Sequence, residues 1–183
     1  MQGLSIRYQQ IGDAKRFYEI LTHPDFIYFS ANPESIEDEK RFLRMNKNLR
    51  LANISHNYTI LLKNEIVGAI GVKIDQHRIW IGEVGYFVDR AFWGKGIAPA
   101  ALQLVEPICF NNLGIERLEL ITMKENTASI RVAIKAGYIK EGIQKHKLPF
   151  KGKFADVYLF AKIKPGNGEN QLNRDKFVCP SLG

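Results

Sequence analysis

The chain of 183 residues, 45% of them hydrophobic, is long enough to bury one sizeable core and short for two, so a single domain over residues 1–164 and a polar tail over 165–183 are expected. Its formal net charge of +7 comes from scattered lysines and arginines, which excludes zinc-finger, zipper-arm and aromatic single-strand readers of nucleic acid and leaves a solvated basic face. Cys109 and Cys179 lie far apart, the four histidines share no ligand spacing and no apolar run spans a bilayer, so a soluble cytoplasmic protein without disulfides, metal, membrane or direct nucleic-acid partner is expected.

In chain order, Ser5 to Tyr8 reads as a short strand. Asp13 then caps a helix in which Ala14, Phe17, Tyr18 and Leu21 recur at helical spacing until His23-Pro24 stops it. Residues 25–33 form an aromatic connector, with Phe26, Tyr28 and Phe29 readable as a lid or as rings pinning a loop to the core. A second helix starts at about Ser35, with Asp38 at its third position. Tyr58 to Leu62 and Ile66 to Ile74 form a hairpin around Lys63-Asn64-Glu65. Asp75-Gln76-His77 turns the chain into Ile79 to Val88, a buried strand whose one ionisable side chain is Glu83.

Next comes Trp93-Gly94-Lys95-Gly96-Ile97-Ala98, a glycine-punctuated turn into a helix whose first turn accepts Pro99. Strand, glycine turn and helix start make an anion site from unpaired backbone amides. That helix, carrying Leu102, Leu104, Val105 and Ile108, ends near Asn111 to Gly114. Leu118 to Thr122 is then a strand parallel to Ile79–Val88, joined to it by a right-handed crossover. Asn126 caps a further helix with Ile130, Ala133 and Ile134 facing inward and Gly137 ending it. Ile139 to Lys147 and Phe154 to Ile163 close the sheet around a loop at residues 148–153.

The sequence Gly85-Tyr86-Phe87-Val88, then Phe92 to Ala98, then Asn126-Thr127-Ala128-Ser129, Lys135-Ala136-Gly137-Tyr138 and Glu141-Gly142, in this order and on these elements, resembles the GNAT N-acetyltransferase superfamily. Within it the chain is similar to the Rim-type branch of ribosomal-protein N-terminal acetyltransferase-like proteins, over Leu4 to about Lys164. The resemblance implies an α/β fold with a mixed, mostly antiparallel sheet, two central parallel strands splayed apart, and helices on both faces. It also implies acetyl-CoA as cosubstrate. The amides of Gly94, Lys95, Gly96, Ile97 and Ala98 suit a pyrophosphate, and Phe87 and Val88 can pair with the pantetheine arm as another strand would. Backbone N–H groups there polarise the thioester oxygen. Such pairing requires the parallel strands to part beyond Val88 and Thr122, with Gly82 and Gly85 as the expected bulge.

Acetyl transfer needs an amine freed of its proton and a proton for the departing thiolate. Glu83 is the candidate base, in an apolar strand where desolvation raises a carboxyl pKa; its bland alternative is a glutamate paired with a nearby Lys or Arg. Ser129 is the candidate acid and a cofactor contact, because the Rim-type pattern places a serine three residues after the cap asparagine; otherwise it satisfies its own helix backbone. Asn126 caps its helix, and the resemblance adds a contact to pantetheine amides.

Three places depart from the family pattern. Trp93 stands where many members carry Gln or Arg and brings no donor to the phosphate, Pro99-Ala100 replaces a small-then-acidic pair, and Ala133 occupies the place of a catalytic tyrosine, with Tyr138 assigned to the core. Gly94-Lys95-Gly96 lacks the third glycine of a dinucleotide site, and no Gly-Lys-Ser or Gly-Lys-Thr of a P-loop is present.

The expected acceptor is a protein N-terminal amine, through the branch resemblance. A polyamine or aminoglycoside is second, because no acidic cluster is visible near the site. A rival of another class is an acetyl-CoA-binding sensor without turnover. Monomer and homodimer are both compatible with these residues.

Overall fold

The structure, a computed structural model, describes residues 1–28 and 33–166. The first strand, β1 (Leu4–Tyr8), pairs antiparallel with β2 (Ser55–Leu62). Between them lie α1 (Ala14–Leu21) and α2 (Ile36–Leu51). Ser35 caps α2 as expected, its Oγ accepting from the Asp38 amide at 3.1 Å.

Asp13 does not cap α1. Its carboxylate is 2% exposed and accepts instead from Arg7 at 2.6 Å, from the Thr59 hydroxyl at 2.6 Å and from the Gln10 amide at 2.9 Å. A carboxylate removed from water needs a cation and full hydrogen bonding more than the helix needs a cap.

After β2 the chain reverses through Lys63 and Asn64, both at positive φ (50° and 68°), into β3 (Glu65–Ile74), and then runs through β4 (Ile81–Val88). Ile79 and Trp80, expected within β4, precede it and are exposed. The crossover helix α3 (Ile97–Pro107) widens into a π turn over Ile108–Asn112 and stops at Gly114 (φ 70°). Next come β5 (Arg117–Met123) and α4 (Thr127–Lys135), which Gly137 ends at φ 82°. Ala133 is fully buried, whereas Ile134, expected to face inward, is 62% exposed.

The closing pair, β6 (Ile139–Phe150) and β7 (Lys153–Ile163), extends through the segment expected as a loop. Lys151 and Gly152 both take positive φ, 48° and 75°, and so make a two-residue turn. The surplus residues of β6 sit in irregular stretches between Lys140 and Gly142 and between Gln144 and Leu148.

These strands form one sheet in the order β1-β2-β3-β4-β5-β7-β6, parallel only between β4 and β5. Helices α3 and α4 cover one face around Val84, Val88, Leu102, Leu118 and Phe160. On the other face Ala14, Phe17 and Leu43 of α1 and α2 pack on Ala69, with Phe87 beside them. The mixed fold with helices on both faces is therefore as expected from the sequence.

Candidate active site

Strands β4 and β5 pair over three positions only, Ile81↔Arg117, Gly82↔Leu118 and Glu83↔Glu119. Beyond them each strand follows its outer neighbour: β4 stays on β3 as far as Val88↔Gly68, and β5 stays on β7 as far as Met123↔Val157. The splay thus opens after Glu83, five residues earlier than expected. No bulge starts it, since the β3–β4 ladder has no register shift. Gly82 is glycine for packing: a Cβ there would stand 2.9 Å from Val72 and 3.3 Å from Leu118, whereas one at Gly85 would meet nothing within 4 Å.

The alternation of the ladder decides which peptide groups line the opening. The Asp89 amide bonds to Val67 on β3 at 2.8 Å, and the Trp80 carbonyl accepts from Glu116 and Arg117 on the β5 side. Even-numbered residues of β4 therefore present their amides and carbonyls to the gap, which assigns Tyr86 and Val88 to it. The backbone of Phe87, expected there too, turns toward β3, and its ring packs edge-on to Phe17 at 5.3 Å.

At the carboxyl end of the gap the glycine turn closes over the helix start. Gly94 and Gly96 have φ of 75° and 77°, and Gly96 stands at the N-cap of α3. Among the described residues no acceptor meets the amides of Gly94, Lys95, Gly96, Ile97 and Ala98. Five consecutive N–H groups at a helix start, with backbone no side chain crowds at Gly94, fit an anionic diphosphate. Trp93 ties the turn to the strand, its indole N–H donating to the Val88 carbonyl at 2.6 Å. As expected, it offers the phosphate no donor.

Across the gap from β4 stands the first turn of α4. Asn126 caps it, accepting from the Ser129 amide at 3.0 Å. The Ser129 hydroxyl is not turned back on its own helix; it lies 3.0 Å from the Tyr86 hydroxyl. Burial pushes the Tyr86 phenol up to about 12, against a smaller lowering from Ser129. Tyr86 thus holds its proton at neutral pH and can donate to Ser129, leaving the serine proton free for a third group. Sequence reading passed over Tyr86, though its even position beside Val84 and Val88 places it on the α4 face.

The family model for "Acetyltransferase (GNAT) domain" matches residues 4–139. The chain belongs to the GNAT acetyltransferase family. It is therefore an acyltransferase by family. The "Uncharacterized N-acetyltransferase p20" of Bacillus licheniformis is 27% identical over 167 residues, covering 89% of this chain and 94% of its own length. The ribosomal-protein-serine acetyltransferase of Escherichia coli is 26% identical over 143 residues, covering 78% and 76%. A solved structure of RimL, a ribosomal L7/L12 α-N-protein acetyltransferase in complex with coenzyme A, shares the fold at a TM-score of 0.81 with 21% identity, covering 89% of this chain and 95% of that one.

In this acetyltransferase the odd-numbered side chains of β4 face α1 and α2. There Glu83, Gly85 and Phe87 floor a groove of about 490 Å³, walled by Leu21, Asp38, Glu39 and Phe42 and by Lys73 of β3. Glu83 is half-buried and has no hydrogen-bond or ion-pair partner among the described residues. The groove is not short of acid, contrary to the sequence reading: Asp38, Glu39 and Glu83 all line it. Glu39 went unnoticed, although Ile36, Glu39, Leu43 and Asn46 recur at helical spacing with a carboxylate where an apolar residue belongs.

In the described part of the aromatic connector, Phe26 sits 5.7 Å from Trp93 and 6.5 Å from Phe87, while Tyr28 stacks on Phe150 at 6.2 Å. Phe29 lies outside the described residues.

Proposed function

We propose that the chain transfers acetyl from acetyl-CoA to a primary amine, first among them the N-terminal α-amine of a protein or peptide. One observation carries this reading: the opening between β4 and β5 lies between an amide cradle on one side and a carboxylate-lined groove on the other. A thioester threaded there lies between a proton acceptor and a proton donor. Residues 1–164 act as the catalytic unit, in the cytoplasm.

The amides of Gly94 to Ala98 hold the diphosphate, and the Tyr86 and Val88 peptide groups take the pantetheine arm as a fifth strand edge would. Asn126, once it has capped α4, has its second amide function for the same arm. Glu83 takes the proton of the incoming ammonium and passes it to solvent. The nitrogen lone pair then forms the bond to the acetyl carbon as the carbon–sulfur bond breaks, and Glu83 takes the second proton that the new amide nitrogen sheds. Ser129 gives its proton to the departing thiolate and is reprotonated from Tyr86, which regains a proton from solvent before the next turn. A gap-facing amide, Val88 foremost, stabilises charge on the thioester oxygen.

The name of the Escherichia coli relative supports a protein acceptor, and that of the RimL structure supports its α-amine. The acidic lining gives a polyamine or aminoglycoside a specific footing as second reading, because a polycation needs such carboxylates. Free-thiol release from acetyl-CoA, measured against N-terminal peptides, polyamines and aminosugars, tests both. Turnover with peptides is expected; turnover with polyamines alone reverses the order, and no thiol release with any of these amines contradicts both acceptor readings.

A further inference from the structure

The acidic side chains of this protein fall into two groups. Most are met by a cation within 4 Å, as Asp13 is by Arg7, Asp38 by Arg41, Glu106 by Lys162 and Glu119 by Arg117. Among the described residues, Glu34, Glu65 and Glu125 lack such a partner but stand in solvent. That leaves Glu39, buried, and Glu83, half-buried, as the described carboxylates below full exposure and without a cation within 4 Å, and both line one groove.

Glu39 is the more extreme. It is 7% exposed, its carboxyl has no hydrogen-bond partner among the described residues, and burial alone pushes that carboxyl above the usual range. A carboxylate so placed is costly unless a cation or several donors meet it. Its place in the first turn of α2 returns only a fraction of that cost, and Asp38 beside it is already committed to Arg41 and Ser35. Lys73 lines the same groove but is exposed and makes no ion pair. A cation is wanted that the described residues do not supply.

We propose that Glu39 is the docking site for the acceptor's ammonium group, holding a cationic amine beside Glu83, which takes the proton. This rests on the transferase reading above and narrows it: the acceptor is recognised as a cation before it reacts as a neutral amine. Neutral nucleophiles of the same shape are discriminated against at Glu39, not at the catalytic step. Glu39 is therefore a binding residue, and Glu83 the group that meets the reacting nitrogen.

The test is direct binding by calorimetry to the full-length protein saturated with coenzyme A. Two probes are used, a short peptide with a free N-terminal serine and spermidine, each against an uncharged analogue with hydroxyl or acetamide in place of the amine. Wild type binds at least one amine about tenfold or more tightly over its analogue, and E39Q binds both members of that pair within about twofold. E83Q retains most of the preference while losing turnover. An E39Q protein that binds acetyl-CoA normally yet keeps the full preference overturns the proposal, as does wild type that prefers neither amine. Amine binding without thiol release in wild type would leave Glu39 as assigned and sink the transferase reading instead.

Discussion

At the scale of single residues, the proposed chemistry rests on a half-buried carboxylate on one side of β4 and a hydroxyl pair on the other. Removing a general base costs about 10²–10⁴ in rate, so E83Q is expected to lower kcat by at least ~10² with the KM for acetyl-CoA unchanged; equal loss in both would make Glu83 a structural residue. S129A is expected to lower kcat by about 10², and Y86F by less, because the serine keeps its place once the Asn126 cap holds its backbone. Since the Tyr86 phenol is pushed up to about 12, it stays protonated across the working range. Y86F should therefore leave the shape of the kcat–pH profile unchanged; a lost limb near neutrality would contradict this assignment. Of the residues proposed here, the sequence singled out Glu83, as the lone acid in an apolar strand, and Ser129, through a motif; the structure places each at the opening, and their roles remain proposals. Tyr86 and Glu39 were not singled out, because each looks like filler until strand alternation and helix packing show what it faces.

At the scale of elements, the glycines separate into those kept for space, for conformation and for access. G82A forces a methyl against Val72 and Leu118 and should destabilise by about 1–3 kcal/mol in denaturant unfolding. G85A meets nothing and should leave stability nearly unchanged while raising the KM for the acceptor, since its methyl enters the groove. G96A must hold φ near 77° at a cost of about 1–2 kcal/mol, and acetyl-CoA affinity should fall with it.

The strand–turn–helix unit at residues 81–107 was readable in advance because its glycines and its proline have few other places to go. The start of the splay and the length of the closing hairpin were not. Both depend on which neighbour each strand follows, and Lys151-Gly152 signals a turn only once Leu148 to Phe150 are seen to pair. Asp13 was misread as a cap for the same reason: its partner Thr59 is 46 residues away. Burial pushes its carboxyl up, but the bonds from Arg7, Thr59 and the Gln10 amide outweigh this and hold it below the ordinary carboxylate range. Its contribution is thus fully present above the unfolded pKa of about 3.9 and is lost as pH falls through the lower, folded value. D13N should destabilise by roughly 3 kcal/mol at neutral pH and by distinctly less at pH ~3; an equal penalty at both would assign the loss to packing.

At the scale of the whole molecule, two half-sheets meet at a short parallel seam and then separate, β1 to β4 on one side and β5 to β7 on the other. Helices α3 and α4 cover one face and α1 and α2 the other, so the opening joins what the proposed function makes a donor side and an acceptor side. The site belongs to neither half alone, which is why composition and charge said little about it while the order of motifs along the chain said much. The most direct measurement is an NMR titration of backbone amides with acetyl-CoA. The account predicts saturable shifts largest at Tyr86, Val88 and Gly94 through Ala98. Shifts of comparable size that cluster elsewhere, with these amides unmoved, would contradict it.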